Sequence, residues 1–275
     1  MKKIMIFLLI SCWTIVTSAD VISSSVRVNG RNYSADWYVP ANANGLVFLQ
    51  HGFTANKSNM RDLGNALMES NLMVLAISSS VTGGNFNLAS GIADLIASGG
   101  LNAPQGVTVP SKLVLAGHSA GGLHVSMIGK NLVEAGYQNL AGVILFDPVE
   151  ASRGMAGAFP VLSSANVPVL AILANGGSCN SRNNAQPILA NIGAQDFVGM
   201  KLTNRSSHLD SFGSNTSWFQ RLFCGTPRAN NINTVQEFTA NWANDMFAGR
   251  KTGAYYPGGS ALEALISSNN AVLIK

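Results

Sequence analysis

The chain reads as an α/β protein, a doubly wound and mostly parallel sheet that opens on an antiparallel hairpin. Three observations predict it. Short continuous apolar runs such as Leu46–Leu49 and Leu113–Ala116 recur along the chain, as strands buried on both faces do. Segments with apolar residues near a 3.6-residue period separate them. Asn29-Gly30 stands between two β-prone runs, and both residues tolerate positive φ, which is the strongest local hairpin signal.

The elements follow in order. Val21–Val28 and Arg31–Val39 form the expected hairpin, and Leu46–Leu49 is the first buried strand. Asn59–Ser70 is helical, with Met60, Leu63, Leu67 and Met68 on one face and Ser58 as a candidate N-cap. Leu72–Ile77 is a strand, Leu88–Ala97 a helix and Leu113–Ala116 a third parallel-type strand. Gly121–Ala135 is helical and stops at Gly136. Val143–Phe146 and Val169–Leu173 are further strands, Gln186–Ile192 a short helix, Phe197–Leu202 a sixth strand and Val235–Phe247 a last helix. The stretch Pro148–Pro168, rich in Ala, Gly and Ser, is short for a cap domain, so an open site with minimal cap is expected. The Gly-rich tail after Gly249 has no clear element.

Composition removes several function classes. Of 275 residues, 47% are apolar and 11% charged, against a typical ~25% charged, which excludes a disordered chain. Lys and Arg total 17 and Asp and Glu 13, a formal charge of +4, with no basic run beyond Arg250-Lys251 outside the N-terminal segment. A nucleic-acid groove needs clustered cations, so no nucleic-acid partner is expected. His, Cys, Asp and Glu do not cluster at ligand spacing, so neither a metal nor another cofactor is expected.

The N-terminus carries targeting information. Met1-Lys2-Lys3 is basic, Ile4–Val16 is apolar apart from Ser11 and Thr14, and Thr17-Ser18-Ala19 offers small residues for a cut after Ala19. This is the pattern of a signal peptide over residues 1–19. Thirteen apolar residues rise only about 20 Å as a helix, short of a ~30 Å hydrocarbon core. No membrane span is therefore expected in the mature chain, 20–275, a single domain secreted or periplasmic and monomeric. Leu9-Ile10-Ser11-Cys12 also reads as a lipobox, the competing possibility being lipidation at Cys12. Loss of Lys2 and Lys3 leaves fifteen basic residues against thirteen acidic, +2, and two cysteines. In an exported chain these predict a Cys179–Cys224 disulfide.

The chemistry concentrates at Gly117-His118-Ser119-Ala120-Gly121, a G-x-S-x-G pattern. The strand running into it and the helix leaving it supply the strand–turn–helix context that the pattern needs. A sharp turn there lifts the Ser119 hydroxyl clear of the sheet, while the amide of Ala120 at the helix start is a candidate oxyanion donor. A second donor belongs just after an earlier strand, where the Phe53 N–H of His51-Gly52-Phe53 stands. His51 reads as a packing and loop-shaping residue, because the base normally follows the nucleophile in chain order. His118 adjoins the serine and points away, and His124 lies inside the helix. His208, in Ser206-Ser207-His208-Leu209-Asp210 after the last expected strand, is the candidate base. Asp147 ends a strand at the serine's sheet edge and is the candidate acid, with Glu150 as the alternative. Asp196 precedes a strand and falls at the wrong edge, and Asp210 is a local loop partner of His208.

These residues together resemble the α/β-hydrolase superfamily over most of 21–249. His51-Gly52-Phe53, Gly117-His118-Ser119-Ala120-Gly121-Gly122 and Phe146-Asp147-Pro148-Val149 are similar to its chlorophyllase and cutinase-like esterase branch. The Asp-Pro-Val run resembles chlorophyllase, whose acid lies there, so the resemblance implies Asp147. The chain departs from plant chlorophyllases at Ala120 and in its signal segment, and from polyester-cleaving cutinases in having no acid after Leu173. What the resemblance implies is ester hydrolysis through an acyl-enzyme on Ser119.

The expected function is a secreted serine esterase or lipase. Phe53, Phe212, Trp218 and Phe219 are candidates to line an apolar acyl pocket, which favours neutral acyl or lipid-like esters. An acyltransferase or thioesterase would use the same triad. A non-catalytic binding protein of this fold would be expected to have lost one member of Ser119, His208 and Asp147.

Overall fold

Asn29 and Gly30 adopt φ of 49° and 79°, so the first turn has both central residues in the left-handed region, as a two-residue hairpin requires. It joins β1 (Asp20–Val28) to β2 (Arg31–Val39), paired from Val28–Arg31 out to Asp20–Val39. The computed structural model describes residues 19–193 and 195–275. Residues 1–18 of the expected signal segment, Cys12 among them, lie outside the described residues.

The remaining strands are β3 (Leu46–Gln50), β4 (Met73–Ile77), β5 (Leu113–His118), β6 (Leu140–Phe146), β7 (Val169–Leu173), β8 (Gly199–Leu202) and β9 (Ala271–Leu273). They form one nine-stranded sheet in the order β1-β2-β4-β3-β5-β6-β7-β8-β9. The core from β4 to β8 is parallel, and antiparallel pairs close both edges. Helices α1 (Arg61–Glu69), α2 (Phe86–Ala97), α3 (Ala120–Glu134), α4 (Gly154–Ser164), α5 (Gln186–Ala190), α6 (Trp218–Cys224), α7 (Ala229–Ala248) and α8 (Ser260–Ser267) complete the chain.

The central strands alternate between two cores. Leu46 and Phe48 face one, with residues of α2, α3, α4 and α5. Val47 and Leu49 face the other, with residues of α1, α7 and α8. This is why the strands read as continuous apolar runs rather than alternating ones. Burying a Leu or Phe in either layer is worth roughly 1.5–3 kcal/mol, so the two layers together hold the sheet.

The structure adds three elements. Pro148–Pro168 is the crossover from β6 to β7 and contains α4, which rests on α3. Its glycines and the internal Pro160 hide it from propensity. The tail after Gly249 is structured: Leu262 of α8 is fully buried and β9 pairs antiparallel with β8. Residues 218–224 form α6, whose Ser217 and Gln220 make a reciprocal capping box.

The register aligns the strand ends that matter. Gln50 pairs with Gly117, His118 with Phe146, and Phe146 with Ile172. The loops after β3, β5, β6 and β7 therefore leave the sheet side by side. The chain order reverses between β3 and β5, and crevices in open α/β sheets form at such a point.

Candidate active site

Ser119 sits between β5 and α3 with φ 55° and ψ −125°, a conformation that costs a non-glycine residue of order 1–3 kcal/mol. Its neighbours leave the chain no other course. A Cβ on Gly117 would strike the Gly121 carbonyl, and one on Gly121 would strike the His51 carbonyl. The strained turn is then held by backbone hydrogen bonds: Ser119 N–H donates to Phe146 O at 3.0 Å, and its carbonyl accepts from Gly122 and Val149. The Ala120 N–H opens α3, one of the amides a helix start leaves without an intrahelical partner.

The loop after β3 presses directly on the serine. A Cβ on Gly52 would come within 2.8 Å of both Ser119 Cβ and His118 Nδ1. His51, buried, shapes this loop: Nδ1 donates to Gly52 O at 2.8 Å and Nε2 accepts from Ser79 N–H at 3.2 Å. That pattern fixes the neutral ring, and burial lowers its pKa, partly offset by the Gly52 bond. Phe53 follows with its ring exposed.

On the other side, His208 follows β8, and its Nδ1 donates to Asp147 Oδ2 at 2.6 Å. Asp147 leaves β6 at φ 42°, with its backbone N–H on Ile172 O at 2.8 Å. Its carboxylate has two further donors, Ala174 N–H to Oδ1 at 2.9 Å and Asn180 Nδ2 to Oδ2 at 2.9 Å. Asn180 is itself buried, gives its other amide proton to Asn175 O and accepts from Gly177 N–H. Asn180 carries no sequence signal, because an amide in the loop after β7 belongs to no catalytic motif and gains its role only from the Asp147 contact. A Cys179–Cys224 disulfide ties this loop to the end of α6.

Glu150 is occupied elsewhere. Its two oxygens accept from Gly154 and Ala156 N–H at the start of α4, an ordinary use of a carboxylate at a helix N-terminus. Asp196 lines a groove with Pro168, Phe197 and Arg250, at the opposite strand ends. Asp210 accepts from the Ser207 and Arg228 amides and so folds the His208 loop; burial pushes it up to about 6.

His118 turns away from the serine side and lies under His208. Its Nε2 donates to the His208 carbonyl at 2.7 Å, and the two rings stand 4.4 Å apart. Burial, then the neighbouring His208, holds its pKa well below the usual histidine value. Phe212 is buried edge-on to the same ring at 4.4 Å, so it packs beneath the site. His124 gives Nδ1–H to Gly84 O inside the helix layer, and burial pushes its pKa down to about 4. Trp218 and Phe219 lie exposed on α6, unlike the buried Phe212, and pack edge-on to each other. Among the described residues no direct hydrogen bond joins Ser119 Oγ to His208, whose ring bonds to Asp147.

Two grooves adjoin residues of the site. One, about 520 Å³, runs between Gly52–Ala55 and Ser78–Thr82. The other, about 350 Å³, lies between the Asn175–Asn180 loop, His208 and Phe223. Both are open, and the described residues hold no cluster of three metal-ligating side chains. No described helix is long and apolar enough to cross a membrane.

No protein-family model and no curated protein sequence matches the chain. Solved structures do. The chain is similar to a dienelactone hydrolase from Anabaena variabilis, at 16% identity and a TM-score of 0.58, over 82% of this chain and 97% of that one. It is similar to the esterase domain of a Rhodothermus marinus protein, at 15% identity and TM-score 0.56, over 82% and 98%. A third likeness is to the Staphylococcus aureus fluorophosphonate-binding serine hydrolase FphF, at 13% identity and TM-score 0.50, over 67% and 90%. The fold is that of the α/β-hydrolases. At these identities the likeness speaks for the fold, and the chemistry rests on the residues.

Proposed function

We propose that this chain is an exported serine hydrolase of carboxylic esters, working through Ser119, His208 and Asp147. The observation that carries it is the 2.6 Å His208–Asp147 hydrogen bond, formed at the sheet edge where Ser119 stands in a strained turn. In this reading Asp147 holds the imidazole with its proton on Nδ1, leaving Nε2 free to accept. Ser119 Oγ attacks the ester carbonyl carbon as its proton passes to His208. The oxyanion forms against the Phe53 and Ala120 amides. His208 returns the proton to the departing alcohol, leaving an acyl-Ser119. Water, deprotonated by His208, then releases the acid and restores the serine.

The open grooves and scarce charge favour small neutral or lipid-like acyl esters. The motifs around Phe53, Ser119 and Asp147 favour the chlorophyllase and cutinase-like branch as the nearest chemistry. The disulfide agrees with cleavage of residues 1–19 and an oxidising compartment.

Labelling by a fluorophosphonate probe tests the reading. The wild type is expected to label and Ser119→Ala not to. A chain-length series of p-nitrophenyl esters then defines the acyl preference. Absence of both labelling and ester cleavage in the folded wild type would overturn the proposal.

A further inference from the structure

Helix α6 has no buried residue. It exposes Trp218 (75%), Leu222 (68%), Phe223 (60%) and Phe219 (56%), the densest run of large apolar side chains on the described surface. The aromatic rings pack against one another, Trp218 edge-on to Phe219 at 5.7 Å and Phe219 tilted against Phe223 at 4.7 Å. A solvated helix does not gain from this composition, so the patch marks a contact surface.

The helix is rigidly placed at the rim of the site. The disulfide fixes its end to the loop that holds Asp147. Ser207, beside His208, donates its hydroxyl to the Cys224 carbonyl. On the other flank Asn59, just past the Phe53 loop, donates to Asn215 O. Phe223 lines the groove that His208 shares, and exposed Phe53 stands across the serine.

The charges beside it are mostly positive, the exception being Asp62, whose carboxylate accepts from Ser214 and Asn215 just before the helix. Between β7 and α5 the only charged residue is Arg182. Between β8 and α7 there are Arg205, Arg221, Arg228 and one carboxylate, Asp210, which is buried. All four arginines are exposed.

We infer that α6 docks the protein onto an anionic lipid surface, with its aromatic and leucine side chains inserted among the acyl chains and the arginines among the headgroups. Aromatic side chains suit the membrane–water interface, and arginines gain from its negative potential. The four apolar side chains expose on the order of 500 Å², less than the ~800 Å² per partner of a stable protein interface but enough for interfacial insertion. Pairing with a second copy would also bring the two arginine sets together. The consequence for catalysis, presentation of the site to esters held in a lipid phase, rests on the esterase reading. The docking itself does not.

The test uses Ser119→Ala protein and co-sedimentation with phosphatidylcholine vesicles, with and without phosphatidylglycerol. Binding is expected to the phosphatidylglycerol vesicles only. Leu222→Asp should weaken it about tenfold or more. Arg221→Glu with Arg228→Glu should weaken it by more than about 25-fold, near fivefold for each charge lost and more for its reversal. With Ser119 intact, Leu222→Asp should keep p-nitrophenyl acetate turnover unchanged and lose turnover of vesicle-borne esters. No vesicle binding, binding indifferent to phosphatidylglycerol, or a dimer by light scattering that Leu222→Asp dissolves would each overturn the proposal. Failure of p-nitrophenyl acetate cleavage would instead strike the esterase reading, leaving the vesicle result to stand by itself.

Discussion

Asn180 and His208 donate to the same oxygen of Asp147, at 2.9 and 2.6 Å. The carboxylate is thus fixed from the β7 loop while it holds the histidine on the β8 side. Removing the amide should leave a buried acceptor short of a partner, a loss of ~1–3 kcal/mol. Asn180→Ala is expected to lower kcat about 10–100-fold with little change in KM. Asn180→Asp is more diagnostic. Its carboxylate would face Asp147 Oδ2 at about the 2.9 Å of the present amide, and two buried carboxylates that close share one proton instead of both ionising. Activity should then fall as the shared proton is lost, adding a basic limb to the kcat/KM profile, whereas a purely structural role for Asn180 would leave the shape of the profile unchanged.

The two acidic candidates from the sequence separate cleanly in space, and so should their variants. Asp147→Asn is expected to lower kcat ~10³–10⁴-fold in a folded protein, since the histidine would be held in the wrong tautomer. Glu150→Gln should leave kcat within about twofold of wild type, because its carboxylate caps α4. Its cost should appear in thermal unfolding, at about 1 kcal/mol or less. A large loss of kcat in Glu150→Gln would transfer the acid role to it.

What was legible in the sequence was what local pattern determines. Leu46–Leu49 and Leu113–Ala116 announce doubly covered strands, because both faces must be apolar. The Asn29-Gly30 turn and the tight glycines around Ser119 are equally local, and the edge argument anticipates the Asp147–His208 contact. What was not legible depends on partners far along the chain. Asn180 gains its place only once β7 and β6 lie side by side and Cys179 meets Cys224. Helix α4 carries Gly154, Gly157 and Pro160, so packing on α3 overrides its propensity. Helix α6 did carry a readable signal, Ser217 three residues before Gln220, but its exposed aromatics disguise it as pocket lining.

Gly52 sets how closely the Phe53 loop approaches Ser119. An added methyl would meet Ser119 Cβ and His118 Nδ1 at 2.8 Å, and neither is the loose end of a flexible chain. The loop must withdraw, carrying the Phe53 amide with it. Gly52→Ala is expected to lower kcat ~10²–10³-fold, the usual cost of one oxyanion donor, with KM little changed. Steady-state kinetics on a soluble ester checks this. Near wild-type kcat would exclude the Phe53 amide as a donor.

Four buried groups set the response of stability to acid. His51, His118 and His124 have lowered pKa values, so each is neutral when folded. As pH falls below the unfolded histidine value near 6.5, the unfolded chain takes protons first and stability is lost. For His124, lowered to about 4, the loss amounts to about 3 kcal/mol once its folded pKa is reached. Asp210, raised to about 6, works oppositely: the folded state takes its proton first, so stability is regained between about 6 and the usual carboxylate value. It offsets about one histidine, and the net is a falling Tm from pH 7 to 4.5. Asp210→Asn removes the offset, so its Tm should fall more steeply over the same interval. A shallower fall in that variant would contradict the assignment.

The disulfide couples stability to the acid's position, and the two effects can be separated. It closes a separation of 45 residues, for which loss costs about 2–4 kcal/mol. Cys179→Ser with Cys224→Ser should therefore unfold at clearly lower denaturant. Asn180 follows Cys179 directly, so a freed loop also loosens its hold on Asp147. The double serine variant is expected to lose kcat beyond any fraction unfolded at the assay temperature. If that loss runs through Asn180, it should largely vanish when the same pair is introduced into Asn180→Ala, because one interaction cannot be removed twice. Equal kcat losses in both backgrounds would mean that the disulfide acts on catalysis by another route, such as the placement of His208 through Ser207 and the Cys224 carbonyl.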